Sequence, residues 1–510
     1  MSIAGLDVGT TVCRLIAVDD EGNVRATAYS EYPLITKGSR LEIDPNQLWR
    51  SVCEVCAEVS QKMSNDPIET LAVSAMGDTL ITTDWHFNPD RNAILAFDSR
   101  SKAQCARLID HFGVSSLFEH TGVPAHPMST ATKIAWVIDN AKSKQELPAR
   151  YMCAEDFVIA RFTGNPVMSW SSAARTMMYD VTKKEWWKEL MDYLEIREDM
   201  VSHTLPSAEV VGRISAGVRE ELGFSRNVLI ATGGHDQICG AIGSGAVMDG
   251  IVADNTGTFE CVLACVGDER RRTVDRALLM NNGLALYPHG PRDAWAVLAL
   301  FNAGSIVKWC RDNLFIHEAD RAQKSGGDVY DSMFAALDEK PTEILLLPHF
   351  SGTGTPWLDP EATGVFYGIH LSTDRHDLLK AAIQGICFDL AINLQILEEA
   401  GIAVTRLRAT GGGTRSPKWL QLKADITGKE VTVVKNSEGS ALGAATCAGV
   451  AGKKYSSIEE GARRLVLLGD TYAPDQKRVQ YYRDALKQYR DLYTAISMYR
   501  KQKNASLRRL

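Results

Sequence analysis

The sequence of 510 residues has no uninterrupted apolar run near the ~20 residues that a membrane-spanning helix requires. Its start, "MSIAGLDVGTT", lacks the positive flank and long apolar stretch of a secretory leader. Both readings point to the cytoplasm. Dense positive charge is missing too: the net charge is −7, and the one basic stretch, "MYRKQKNASLRRL", reads as a short solvated terminus. That sets aside nucleic acid and membrane surfaces as main partners, because phosphate-rich ligands need clustered Lys and Arg. The cysteines, eleven and therefore odd in number, are scattered and suit buried thiols better than a disulfide framework. The single C-x-x-C, Cys53 to Cys56, has no second Cys or His pair nearby. It lies among Leu48, Val52, Val55, Val59 and Met63 at helical spacing, after an expected cap and capping box at Asp44, Pro45 and Gln47, so both thiols are expected in a core. G-x-G-x-x-G and Walker A patterns are absent. "GVAGKKYS" has the wrong glycine spacing and no Ser or Thr after Gly-Lys, which disfavours a P-loop, a Rossmann site and a dehydrogenase.

What is present is an ordinary globular composition on a chain too long for one core, so at least two domains are expected. Strand-like and helix-like segments alternate, which predicts an α/β fold. "SIAGLDVG", "VCRLIAV" and the segment after "DDEGNV" read as a three-stranded meander, and "GIVADNTGTFECVLACV" repeats its strand, Gly-Thr turn, strand pattern. "TRLRATGGGTRSPKWLQLKADITG" reads as a strand, a glycine turn and an amphipathic helix. The expected division is residues 1–246, residues 247–455 and a charged helical extension from 456 to 510.

Three turns carry chemistry. Asp7 sits at a strand end before Gly9, Thr10 and Thr11. Such a turn offers N–H and hydroxyl donors to phosphate, and a carboxylate beside it suits hydrated Mg²⁺. Gly257 and Thr258 repeat the device, and Gly411, Gly412 and Gly413 open a helix whose first N–H groups suit a phosphate or ribose. A fourth stretch, "GGHDQICGAIGSG", offers two proton acceptors side by side, His235 and Asp236.

In these residues the chain resembles the FGGY carbohydrate kinases of the actin-like ATPase superfamily, over nearly its whole length. "MSTATKIAWVIDN" places Met128, Thr130, Lys133, Trp136 and Asp139 as one family signature requires. "GVFYGIHLSTDRHDLLKAAIQG" does so for Gly364, Phe366, Gly368, Leu378, Ala381 and Gln384. "LLLPHFSG" and "EGSALGAA" follow in order. The resemblance implies two actin-like (ribonuclease H-like) domains flanking a cleft for ATP and a sugar. It implies Asp236 as catalytic base, with Asp7 and Asp236 at Mg²⁺. Gly9, Thr10, Thr11, Arg14, Gly257, Thr258 and Gly304 would lie at the phosphates, and Gly411, Gly412 and Gly413 at the nucleoside. The implied reaction is ATP-dependent phosphorylation of a small sugar or polyol; self-association as a homodimer stays open.

Substrate choice is expected at Met76, Gly77 and Asp78. Xylulose kinases commonly carry Gln-Met-His-Gly here, so Asp78 replaces their sugar-contacting His; glycerol kinases carry an acidic residue. A carboxylate accepts vicinal hydroxyls and disfavours an aldonate such as gluconate. Thr353 and Gly354 stand where many relatives have Glu-Arg, and Ser169 where Asp is common. D-xylulose is the first choice, with glycerol, an erythritol-like polyol or another ketose as alternatives. A non-catalytic sugar-binding relative on the same fold is the alternative of another class. Between the two acceptors, alternation along a strand predicts that His235 points away from Asp236 and stays a bystander.

Overall fold

The computed structural model describes residues 2–507 other than 336, 338, 339 and 437. Two mixed sheets organise it, one in each half of the chain. The first has six strands in the order Val210–Arg213, Leu229–His235, Ile68–Ala75, Ser2–Val8, Val12–Val18, Val24–Glu31. The second has seven, in the order Ala285–Pro288, Ala294–Asn302, Phe259–Gly267, Gly250–Thr256, Val404–Gly411, Glu430–Val434, Leu468–Tyr472. Central strands such as Ser2–Val8 are apolar and covered on both faces, whereas the edge strand Val24–Glu31 largely alternates between exposed and buried. Ser2–Val8 runs antiparallel to Val12–Val18 and parallel to Ile68–Ala75. Gly250–Thr256 stands in the same relation to Phe259–Gly267 and Val404–Gly411. The two Gly-Thr turns therefore mark a repeat of the whole sheet plan.

Two helices lie between the sheets. Asp236–Ser244 leaves the strand Leu229–His235 and also packs on the second sheet; Gly439–Ala451 follows the strand Glu430–Val434 and packs on the first. The second helix reads GSALGAATCAGVA, small residues throughout. The pair cross with their backbones in contact. A Cβ on Gly243 would stand 1.9 Å from the Gly439 carbonyl oxygen, and one on Gly443 would stand 1.8 Å from that of Cys239. No larger residue fits either position without moving a helix.

The helix Pro45–Lys62 forms with Asp44 as cap, its carboxylate accepting from the Asn46 N–H at 2.9 Å. The expected capping box does not form, because Arg50 takes Gln47 Oε1 at 2.7 Å. Cys56 is buried and Cys53 half-buried on this helix, and all eleven cysteines are free thiols. Helix Arg375–Glu399 is long and apolar enough to cross a membrane, yet 89% of its most apolar window is buried inside the protein. The chain end is not wholly helical. Leu468–Tyr472 joins the second sheet as an edge strand against Glu430–Val434, before the helix Gln476–Leu507. Gly469 and Asp470 weaken the strand pattern in the sequence, and an open sheet edge supplies the missing pairing.

Gly443→Val is expected to cost about 1–3 kcal/mol through overpacking, read as a fall of several degrees in the thermal unfolding midpoint. Gly217→Ala, on a helix with open space around the added methyl, should leave the midpoint unchanged or raise it slightly.

Candidate active site

The strand Leu229–His235 ends where the helix Asp236–Ser244 begins, so the junction falls between the two proton acceptors. Strand alternation does not extend across such a junction, and the expectation that His235 points away fails. Its Nε2 lies 3.1 Å from Asp236 Oδ1. Its Nδ1 shares a hydrogen bond of 3.1 Å with the hydroxyl of Tyr287, which belongs to the second sheet. Burial, reinforced by the Arg175 charge, holds the His235 pKa well below its usual value, so the ring is neutral. Enclosure pushes the Asp236 carboxyl up to about 7, with the nearby Asp7 charge adding to the rise. Oδ1 of Asp236 is buried, and apart from the His235 contact it accepts no hydrogen bond from the described residues.

Asp7, next to last in the first strand, accepts a hydrogen bond from Ser74 Oγ at 2.8 Å, and is pushed up to about 6 by burial. Gly9, Thr10 and Thr11 form the hairpin turn after it, closed by the Gly9 N–H donating to the Val12 carbonyl at 3.0 Å. Arg14 lies opposite Asp7 in the hairpin and forms an ion pair with Glu438, at the start of the crossing helix Gly439–Ala451.

Among Met76, Gly77 and Asp78, expected to set substrate choice, the Met76 side chain is buried in the apolar core of the first half. Gly77 packs against the His235 ring, where a Cβ would stand 2.7 Å from Cδ2. Asp78 is buried, and its Oδ2 accepts from Arg175 Nη2 at 2.7 Å and Nε at 3.1 Å. Its backbone has a φ of 58°, held by Lys133, whose ammonium group donates to the Asp78 carbonyl. A signature lysine thus supports the backbone of Asp78. Oδ1 of Asp78 has no hydrogen-bond partner.

Arg175 opens onto a cavity of about 610 Å³ whose walls include Phe97, His126, Phe259, Leu300 and the loop 351–360. Phe97 and Phe259 stack across it from the two halves of the chain, ring centroids 5.8 Å apart. A side chain at Gly354 would meet the Leu300 carbonyl oxygen at 1.9 Å, so an arginine there is incompatible with this loop. Ser169, another departure from the family pattern, caps the helix Trp170–Arg175 and donates to the buried Glu155 at 2.7 Å.

A second cavity, of about 600 Å³, gathers Gly257, Thr258, Gly304, Gly412 and Gly413. Gly411 lines a smaller space beside it, shared with Gln237 and Ser440. Trp309, Tyr330 and Phe334 give the larger cavity an aromatic wall, suited to a planar base. The Ser305 hydroxyl, buried and unpartnered, faces the same space. Behind Thr256 lies a buried charge cluster. Lys423 Nζ donates to Asp254 at 2.6 Å, Glu260 at 2.5 Å and Thr256 Oγ1 at 2.8 Å. Burial and the Asp254 charge push Glu260 up to about 8, so at neutral pH one proton joins the lysine in balancing two carboxyls.

Sequence reading missed Arg175, the aromatic wall and Lys423. Their side chains sit at ordinary helical spacing, and only folding brings each beside its partner.

The repeated sheets and crossing helices define an actin-like fold, with two cavities opening between its elements. Residues 2–243 match the N-terminal domain, and residues 254–452 the C-terminal domain, of the FGGY family of carbohydrate kinases. The chain belongs to this family and is a phosphotransferase acting on a carbohydrate. It is 27% identical to the xylulose kinase of Bacillus subtilis over 96% of each chain. It is 26% identical to the gluconokinase of the same organism, over 96% of this chain and 93% of that one. With a glycerol kinase of Streptococcus pyogenes the identity is 28% over 88% of each. The solved xylulose kinase from Lactobacillus acidophilus superposes with a TM-score of 0.87 at 23% identity, covering 97% of this chain and 98% of that one.

Lys423→Met is expected to leave Asp254 and Glu260 facing each other in a buried space and to destabilise the protein by about 3–5 kcal/mol. Adding Glu260→Gln removes one of the two carboxylates and should recover part of the loss in thermal denaturation.

Proposed function

We propose that this carbohydrate kinase transfers the γ-phosphoryl group of ATP to a hydroxyl of a ketose, D-xylulose as first choice, with Asp236 accepting the hydroxyl proton. One observation carries the role of Asp236. Its Oδ1 is enclosed, with the His235 ring beside it and no hydrogen bond accepted from the described residues, and its carboxyl feels the charges of Asp7, Arg175 and Asp78. A substrate hydroxyl there finds a fixed acceptor. In the transfer, the hydroxyl oxygen bonds to the γ-phosphorus, the bond from that phosphorus to the bridging oxygen of ADP breaks, and the proton passes to Asp236. Such a transition state is loose, so position and charge matter more than base strength. His235, neutral and tied to Tyr287, holds the orientation of Asp236 rather than competing with it.

Mg²⁺ fits the donors present: Asp7 and Asp236 are neighbouring carboxyls, each raised by enclosure, and hard oxygen donors suit this ion. When bound, it would offset phosphate charge. Gly9, Thr10, Thr11 and Arg14 would meet the phosphates from the first half, and Gly257, Thr258, Gly304 and the Ser305 hydroxyl from the second. Gly411, Gly412 and Gly413 would bound the nucleoside. The proposed division into residues 1–246, 247–455 and 456–510 puts one sheet core in each of the first two parts, and the free thiols support a cytoplasmic setting.

Asp78 and Arg175 would meet the acceptor's hydroxyls. Because Arg175 offsets the Asp78 charge, repulsion of an aldonate is weaker than a lone carboxylate implies. The acceptor is tested by ADP release over D-xylulose, D-ribulose, glycerol, erythritol and D-gluconate, where a clear preference for a ketose supports the reading and a preference for glycerol or gluconate overturns it.

Asp236→Asn should bind ATP and acceptor by calorimetry while kcat falls by ~10²–10⁴; an unchanged kcat removes Asp236 from the mechanism. Asp78→Ala should raise KM for the acceptor by ~10-fold or more and leave KM for ATP nearly unchanged. Equal changes in the two KM values argue against a sugar contact.

A further inference from the structure

The last helix, Gln476–Leu507, lies beyond the residues matched by the family. Its first half is fastened to the long buried helix Arg375–Glu399. Tyr489, fully buried, donates to Asp389 at 2.8 Å, and Arg490 donates to Gln395 at 2.7 Å. Its second half touches something else: the outer face of the segment 349–361. Tyr493 stacks on Trp357 with ring centroids 4.0 Å apart and meets the His349 ring edge-on. Arg500 forms an ion pair with Asp359 and donates to the Glu361 carbonyl at 2.8 Å.

The inner face of that same segment lines the 610 Å³ cavity, through Gly352, Thr353, Gly354, Thr355 and Leu358. The segment has little regular structure of its own. It is tied internally by the Asp359 N–H to Thr353 Oγ1 at 2.8 Å, and to its surroundings by Asn302 Nδ2 to the Gly352 carbonyl at 2.7 Å. Asp359 is therefore shared: its backbone closes the loop that faces the cavity, while its carboxylate is held by Arg500 and lies 3.5 Å from the Tyr493 hydroxyl.

We propose that Tyr493 and Arg500 are positioning residues for the acceptor. By clamping Trp357 and Asp359 from behind, they set the cavity wall formed by residues 351–358, and with it affinity for the sugar. This rests on the reading that the 610 Å³ cavity takes the acceptor. The nucleotide cavity has no lining residue in this loop, so the two substrates should respond differently.

The test uses the full-length enzyme and whichever of D-xylulose, D-ribulose, glycerol, erythritol and D-gluconate gives the highest kcat/KM. Arg500→Ala and Tyr493→Ala should each raise KM for that acceptor roughly 3- to 30-fold, the worth of about one charge-assisted hydrogen bond, with KM for ATP unmoved. Arg500→Lys, which keeps the charge, should recover part of the loss. Leu300→Trp, which fills the cavity directly, separates the two readings. If it leaves KM for the acceptor unchanged, the cavity is not the acceptor site and both readings fall. If it raises that KM while Arg500→Ala and Tyr493→Ala do not, only the positioning role falls. Parallel rises in both KM values in the Arg500 and Tyr493 variants would show general loosening and also overturn it.

Discussion

Gly243 and Gly443 let two helices cross with their backbones in contact, and the cleft depends on that crossing. Each helix leaves one sheet and packs on the other, so the separation of the sheets is set by how closely the helices approach. The catalytic candidate Asp236 is the first residue of one helix, and Ser440 of the other donates to its backbone carbonyl at 3.0 Å. Arg14, on the first Gly-Thr hairpin, reaches Glu438 at the start of the second helix. The first Gly-Thr turn, Asp236 and the crossing thus form one mechanical unit. An alanine at either glycine would have to push the sheets apart before anything at the site changed chemically.

Charge inside this unit is arranged with a surplus of carboxyl groups. Burial raises the cost of ionising Asp236, and the Asp7 charge adds to it. At Asp78 the surplus is offset by Arg175, which leaves Asp78 one oxygen for hydrogen bonding rather than a bare charge. Behind the nucleotide turn, Lys423 does the same for Asp254 and Glu260 and also fixes Thr256. All three arrangements place in a buried setting a carboxylate oxygen that accepts no hydrogen bond from the described residues: on Asp78, Asp236, Asp254 and Glu260. Around Lys423 the surplus is internal to the fold.

The legible part of this protein was the part carried by backbone requirements. Gly9 and Gly257 are turns in the structure as in the sequence, the meander at the start is present, and Gly412 and Gly413 open onto the same cavity as Thr258. Side-chain direction was less legible. Met76 was expected beside the substrate and lies in a core, and His235 was expected to turn from Asp236 and instead touches it. Met76 follows directly on the strand Ile68–Ala75 and His235 is the last residue of its own, so the alternation that would tell inside from outside stops there. The chain end shows the same weakness in another form, since Leu468–Tyr472 is a strand only because a sheet edge is there to pair with it.

The sequence by itself determined the α/β class, the duplicated Gly-Thr turn, the kinase family and the candidacy of Asp7, Asp78 and Asp236, because turns, strand ends and carboxylates are written in local residue type and spacing. Only the tertiary structure decided that Arg175 balances Asp78, that Lys423 sits between two carboxyls, and that the last helix is tied to the outer face of the segment 349–361. Those pairings join residues 97, 163 and 141 positions apart. Contacts over such separations are set by how the sheets and helices pack, and no local pattern encodes them.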